Sequence, residues 1–339
     1  MTDLIIRNYE QTEEELLVDY DKGSFFENWQ ESETWELSLT VRLNEHNKVS
    51  YDLVTFESTV IYQGQEFIIK QLTDGSEGAF LFKTVVATHV YYSIAEGYQY
   101  NTVTGRRTMR QLLTHVFAAG NRGFTWSLID PNNVLGSRDV ENFGDDSYLG
   151  LINKLLSDFG AVVIPDNKHL TFYPSGNYGQ KTEQQIRYKH NTDDVRFDID
   201  TLNLRTQIRG FGGTDDDDRE YFSPITYTSP ESAKWGIRIQ QPVRDERYQV
   251  AANMRERLIR ELQDQPSISG VVNLKWAVEI DKGDFVSFVY EPLNINAYIQ
   301  VVGYKKYPAL PNKPPEVVLS NTKKTMTSIL AKLIQRRVI

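Results

Sequence analysis

The chain has 339 residues, a formal net charge of -9 and no cysteine. That length is enough for two or three domains, and the acidity argues against a general nucleic-acid binder, whose footprint is basic. The missing thiols exclude disulfides, thiolate metal sites and cysteine nucleophiles. No apolar run approaches the roughly 20 residues needed to span a bilayer. Met1–Arg7 lacks the apolar core of a signal peptide, so synthesis in a cytoplasm without membrane insertion is expected.

Residues 1–100 read as mostly β. Trp35, Leu37, Leu39, Val41 and Leu43 alternate along Trp35–Leu43, the period of a half-buried strand, and put Trp35 in the core. Tyr62–Gln65 reads as a hairpin turn, and Thr73–Gly78 as another, with Asp74-Gly75 supplying the positive φ angles. Residues 101–200 change character. Thr108 caps a predicted helix with Met109, Leu112, Leu113, Val116 and Phe117 on one stripe, stopped by Gly120. Ser147 caps a second, with Leu149, Ile152, Leu155, Leu156 and Phe159, ending at Gly160. Short strands follow at Ala161–Ile164 and His169–Tyr173, joined by a turn from Pro165. This pattern predicts an inserted α+β domain.

From residue 201 the chain returns to β, with a strand over Leu204–Gly210. Asp245 is placed to open a third helix carrying Tyr248, Ala252, Arg255, Ile259 and Leu262, stopped near Pro266. After a Pro-rich connection from Pro308 to Pro315 comes a terminal helix. Its apolar stripe is Met326, Ile329, Leu330, Leu333 and Ile334, and its other face is basic. The stripe reads as a docking face.

A strand cassette recurs. Ser58–Leu72 and Leu81–Thr88 are echoed by Asp281–Tyr290, Asn296–Lys306 and Glu316–Ser320. In each copy a short aromatic strand leads through a polar turn to a Val-rich strand. Two similar antiparallel modules split apart by other structure suit a ring-building protein better than an enzyme. The expected fold class is β-rich α+β, with two antiparallel β-barrel-like domains and the α+β domain inserted. The expected boundaries are 1–100 for the first barrel, 101–200 for the insertion, 201–320 for the second barrel with a helix at about 244–264, and 321–339 for the terminal helix.

Motifs for chemistry are sparse. His46, His89, His115, His169 and His190 form no HExxH or HxH pattern, and a structural or surface role is expected for each. No Gly-x-Ser-x-Gly elbow occurs. With 46 acidic residues, some pair of carboxylates will stand at glycosidase spacing by accident. Asp215–Asp218 lacks the spacing of a calcium loop and reads as a solvated loop tip. No cofactor, metal or catalytic residue is expected. Aromatic residues around Trp29 and Trp35 leave a carbohydrate- or receptor-binding module as an alternative.

A resemblance becomes specific in three stretches. These are Tyr62 to His89, Phe159 to Tyr173 with Tyr188–Asn191 and Thr206–Gly213, and Tyr227–Glu231 with Trp235 and the segment after Asp245. In their order and spacing they resemble the prophage tail endopeptidase family, also called tail-associated lysins or minor tail proteins. The family's N-terminal region is similar to the baseplate hub proteins of tailed phages. That resemblance implies a homotrimer with two β-barrels per chain, whose six barrels form a pseudo-sixfold ring matching a hexameric tail tube.

The insertion would lie outside that ring, and tape-measure protein and DNA would pass through it without specific binding. The distal tail protein and tail tube would be neighbours, the location a virion tail tip, and assembly would take place in the host cytoplasm. The net negative charge, if concentrated on the lumen, would let DNA pass by repulsion. Longer family members carry a wall-degrading domain beyond the hub region, whereas this sequence stops at Ile339, so the endopeptidase name is not expected to transfer. A cell-wall hydrolase remains the alternative that the name suggests. The expected assembly contacts are Gln63, Gly64, Gln65 and Glu66, with Lys282, Gly283 and Asp284.

Overall fold

The computed structural model describes residues 3–320 apart from 119, 176, 193, 216, 218, 247, 265, 276–279 and 294. The chain divides into two compact units, one of Met1–Val195 with Val271–Leu319, the other centred on Arg196–Gly270. The stripe expected at Met326 to Ile334 lies outside the described residues.

The first unit begins with β1 (Leu4–Arg7), β2 (Glu14–Leu16), β3 (Phe26–Gln30), β4 (Thr34–Arg42), helix α1 (Lys48–Leu53), β5 (Thr59–Tyr62), β6 (Gln65–Glu77) and β7 (Phe80–His89). In β4 the alternation read from the sequence holds, with Trp35, Leu37, Leu39 and Val41 all buried. The β5–β6 turn also forms as expected, with Gln63 and Gly64 both at positive φ. The next turn does not. Asp74 and Gly75 stay extended inside β6, paired with Lys83 and Phe82, and the chain reverses at Gly78–Ala79. The Phe82 ring lies across Gly75 where a Cβ would stand, which explains the glycine without a turn.

A short 3-10 turn, Val90–Glu96, leads to the inserted module. It holds β8 (Tyr98–Gln99), β9 (Val103–Thr108), α2 (Met109–Val116), β10 (Thr125–Leu128), β11 (Ser137–Phe143), β12 (Asp146–Ser147), α3 (Tyr148–Phe159), β13 (Ala161–Asp166) and β14 (His169–Pro174). Both predicted helix caps are present. Thr108 and Gln111 make a reciprocal capping box, and Ser147 accepts from the Gly150 amide. The two helices pack Leu112, Leu113, Ile152 and Leu155 into one core with Leu170 and Phe172 of β14.

Next come β15 (Lys181–Arg187) and β16 (Asp194–Asp200). The second unit contains β17 (Gln207–Phe211), β18 (Ile225–Thr228), α4 (Ser232–Trp235), β19 (Val243–Arg244) and α5 (Ala251–Glu261). Ile208, Met254 and Leu258 centre its small core. Its helix starts at Ala251, six residues after the expected cap. Asp245 instead turns its buried carboxylate onto Arg257, an ion pair that holds the helix from its side. The remaining strands are β20 (Ser267–Asn273), β21 (Phe285–Tyr290), β22 (Ile295–Lys306) and β23 (Glu316–Ser320).

The two cassettes do not stand apart. β22 pairs antiparallel with β3, setting Tyr304 opposite Trp29 and Lys306 opposite Glu27. One ladder therefore runs β23-β22-β3-β4-β7-β6-β5-β1-β2, with β21 against β22 and β15 against β21. The fold is β-rich with an α+β insertion, as expected, but this ladder does not close into a barrel among the described residues. The ladder ends at β2, which pairs with β1 and with no other strand among the described residues.

If the seam is structural, Tyr304→Ala will lower the unfolding free energy measured in urea by about 3–5 kcal/mol. Thr108→Ala, which removes a cap alone, will cost about 1 kcal/mol. Equal small losses for both would show that the seam carries little.

Candidate functional site

β3 and β4 are joined by a tight connection that puts Trp29 opposite Trp35. Period-two alternation then places Glu27 on the same inward face as Trp29. The buried Glu27 carboxylate accepts from Trp35 Nε1 at 2.9 Å and from the Tyr304 hydroxyl at 3.1 Å, both through Oε1. Two donors on one oxygen offset much of the cost of burying that group.

Around this carboxylate the distant cassette supplies two lysines. Lys282 lies over the Trp35 ring, and its ammonium stands 5.9 Å from the Trp29 centroid. Burial lowers Lys282 to about 7, Glu27 opposes the shift, and the Lys306 ammonium adds to it. Lys306 caps the Tyr304 ring at 3.9 Å and donates to the Ile280 carbonyl. Burial also lowers its pKa, against the pull of Glu27. Trp35 stacks on His89 with ring centroids 3.9 Å apart. His89 Nδ1 accepts from the Tyr91 amide, so the other ring nitrogen carries the proton and donates to Gln65 Oε1 at 3.1 Å. Burial, aided by the nearby Lys282 charge, holds His89 neutral down to about 2.

Gln65 connects this cluster to the inserted module. Its Nε2 donates to Asp166 Oδ1 at 2.8 Å, and its Oε1 accepts from the Asn167 amide at 3.0 Å. Asn167 answers with its side chain, accepting from the Glu66 amide and donating to the Gly64 carbonyl, both at 2.8 Å. The β5–β6 turn and the β13–β14 turn are thus clasped through both backbone and side chains.

Gly283 closes the other side. It sits at φ +76°, and a Cβ there would enter the Tyr178 ring. Gly179, at φ +78°, approaches the Gly283 carbonyl just as closely. Gln300 Nε2 donates to the carbonyls of both Tyr178 and Gly283. The Tyr178 hydroxyl donates to the Glu31 carboxylate, which burial raises to about 7. Asp284 is buried and accepts from the Asp281 amide. A cleft of about 390 Å³ opens beside the cluster, lined by Tyr62, Gln63, Asp281, Lys306, Tyr307 and Pro308 among others.

The seven residues singled out from sequence therefore meet around one knot, although they come from turns more than 200 residues apart. Gln65, Glu66, Lys282, Gly283 and Asp284 are engaged within the chain, as is the Gly64 carbonyl, while Gln63 and Gly64 are exposed. Sequence reasoning missed Glu27, Lys306, Tyr304, Asn167 and Glu31. One signal was available: a carboxylate on the inward face of an alternating strand, between Phe25 and Trp29. Among the described residues no group of three or more candidate metal ligands assembles. Asp215 accepts from the Asp217 and Arg219 amides and Asp217 pairs with Arg219, a loop held by its own backbone. Asp216 and Asp218 lie outside the described residues.

Three family models match successive stretches of the chain. A family model described as "Prophage endopeptidase tail N-terminal domain" matches residues 4–89, "Prophage endopeptidase tail domain" matches 96–172, and "Prophage endopeptidase tail" matches 180–330. Among solved structures, the prophage tail protein gp18 from Listeria monocytogenes is 50% identical, with 98% of each chain covered and a TM-score of 0.76. A tail protein from Neisseria meningitidis is 12% identical, covering 94% of this chain and 96% of its own, with a TM-score of 0.65. A 43 kDa tail protein of prophage MuSo2 from Shewanella oneidensis is 9% identical, covering 94% and 98%, with a TM-score of 0.64. The last two share the fold. No curated protein matches the chain.

The knot makes stability depend on pH. Lys282 is depressed in the fold, so the stability tied to its neutral form is full above the unfolded value of 10.5 and is lost as pH falls towards 7. Lys282→Met will be more stable than the natural chain at pH 7, by about 2–3 kcal/mol after allowing for water at the half-buried side chain. The gap will shrink as pH rises to 10, as read by thermal melting. A gap that does not change with pH would show that Lys282 titrates normally.

Proposed function

Because the chain belongs to the prophage endopeptidase tail family, we propose that it is a structural tail protein, the hub of a tail tip or baseplate. Three copies form a ring that joins the tail tube to host-contacting components, and DNA passes through the ring without specific binding. The observation that carries this reading is 50% identity to a prophage tail protein along 98% of both chains. In this reading residues 1–100 and 201–320 supply the two barrel-like modules of each subunit, and residues 101–200 lie on the outside. The tape-measure, distal tail and tail tube proteins are its neighbours. It is assembled in the host cytoplasm and carried in the virion.

The knot supports a mechanical role. Its polar groups are engaged in packing: His89 has both ring nitrogens hydrogen bonded, and Glu27 accepts from two donors. Such contacts fix geometry. Gln63–Glu66 and Lys282–Asp284 then serve assembly from a rigid base, with the Gln63–Gly64 turn presented at the surface. We read the chain as non-catalytic, so the family's endopeptidase description does not extend to it.

Light scattering coupled to gel filtration will give three times the 39.1 kDa chain mass at high concentration. The same sample will release no new amino termini from purified cell wall. A monomer at every concentration contradicts the ring, and peptide release contradicts the non-catalytic reading.

A further inference from the structure

Two strand edges carry unused backbone groups. The first is β2. The Asn8 amide donates to the Glu13 carbonyl and the Leu17 amide to the Leu4 carbonyl, so Glu13, Glu15 and Leu17 face β1. By alternation the N–H and C=O of Glu14 and Leu16 face outward. Neither makes a backbone hydrogen bond on that side among the described residues, and Leu16 is 49% exposed.

The second edge is the segment 237–240, beside β17. The amides of Thr206 and Gln207 donate to the Arg238 carbonyl, and the Gln240 amide donates to the Gln207 carbonyl. The Arg238 amide donates to Thr206 Oγ1. The backbone groups of Ile237 and Ile239 therefore point away from β17, with no partner among the described residues. Both side chains are exposed, at 57% and 69%. An exposed edge bearing two isoleucines is a template for another strand.

The two edges are complementary. One reads Glu14-Glu15-Leu16 and the other Ile237-Arg238-Ile239. We propose that β2 of one copy pairs antiparallel with segment 237–239 of the next copy, with Glu15 opposite Arg238. That register makes Ile237 and Leu16 one hydrogen-bonded pair and Ile239 and Glu14 the other, each exchanging the backbone groups left free in the single chain. Glu15 and Arg238 fall between them at the closer spacing, with their side chains on one face. Among the described residues neither side chain has a hydrogen bond or ion pair, and both are exposed. Ile237 and Leu16 meet on the opposite face.

The contact is heterologous, one surface against a different one, so repeating it builds a ring when the rotation closes. Closure at three copies rests on the trimeric reading above. A short strand pair with a single ion pair is weak alone, and a closed ring gains from making the same contact at every junction.

The test is the mass of the full chain by light scattering over a dilution series, for the natural protein, Glu15→Arg, Arg238→Glu and the double swap. Each single variant places like charges opposite each other. Each is expected to weaken association by about tenfold or more, and the double swap is expected to restore it to within about threefold. At dilutions where every variant is monomeric, melting temperatures should not move, since neither side chain contributes to the fold of one chain. A natural trimer whose single variants associate as tightly as it does overturns the pairing and leaves the ring standing. A double swap no better than the single variants also overturns it. A natural chain that stays monomeric overturns both.

Discussion

The structure depends on the buried Glu27 carboxylate, which accepts from Trp35 and Tyr304. Glu27 is buried, and it is tolerable there because Trp35 and Tyr304 donate to it, with the Lys282 and Lys306 ammonium groups within its field. Those partners come from opposite ends of the sequence. Removing the Trp35 or Tyr304 donor leaves the buried carboxylate short of a partner, which costs more than the interaction itself contributes. The carboxylate therefore favours the β22–β3 seam: a different pairing there would leave it the Trp35 donor but take away Tyr304.

From that point rigidity spreads by contact. Trp35 stacks on His89, His89 donates to Gln65, and Gln65 holds the β13–β14 turn. On the other side Gly283 admits the Tyr178 ring and Gln300 ties both loops. The inserted module is thus fastened through Asn167 to the hairpin that carries the first cassette. The hub role proposed above requires load to pass between parts that contact different partners. A body whose segments are locked by polar contacts of fixed geometry suits that task better than one held by apolar packing, which tolerates sliding.

Much of this was legible where local physics decides. The caps at Thr108 and Ser147, the stripe of Leu112 and Leu113, and the alternation from Trp35 to Val41 all follow from periodicity and capping, and the structure holds them. Local signals failed where a distant residue won. Gly75 reads as a turn residue next to Asp74, but it serves to admit Phe82 from the neighbouring strand. Asp245 reads as a helix cap, but its carboxylate is taken by Arg257. The seam itself left no local trace, because a strand's alternation states which face is buried and not which strand lies beside it. The recurring cassette suggested two separate modules for the same reason, and the shared ladder only emerges once Tyr304 is seen opposite Trp29. Lys282 and Gln65 read from sequence as assembly contacts; their links to Trp35, His89 and Asn167 inside the chain have no local signature.

Electron cryo-microscopy of tail particles that carry this chain tests the central claim most directly. Three copies are expected in a ring at the tail tip, each with residues of both cassettes in one continuous sheet. Six copies, a position along the tail tube, or a ring whose subunits hold the cassettes apart would contradict it.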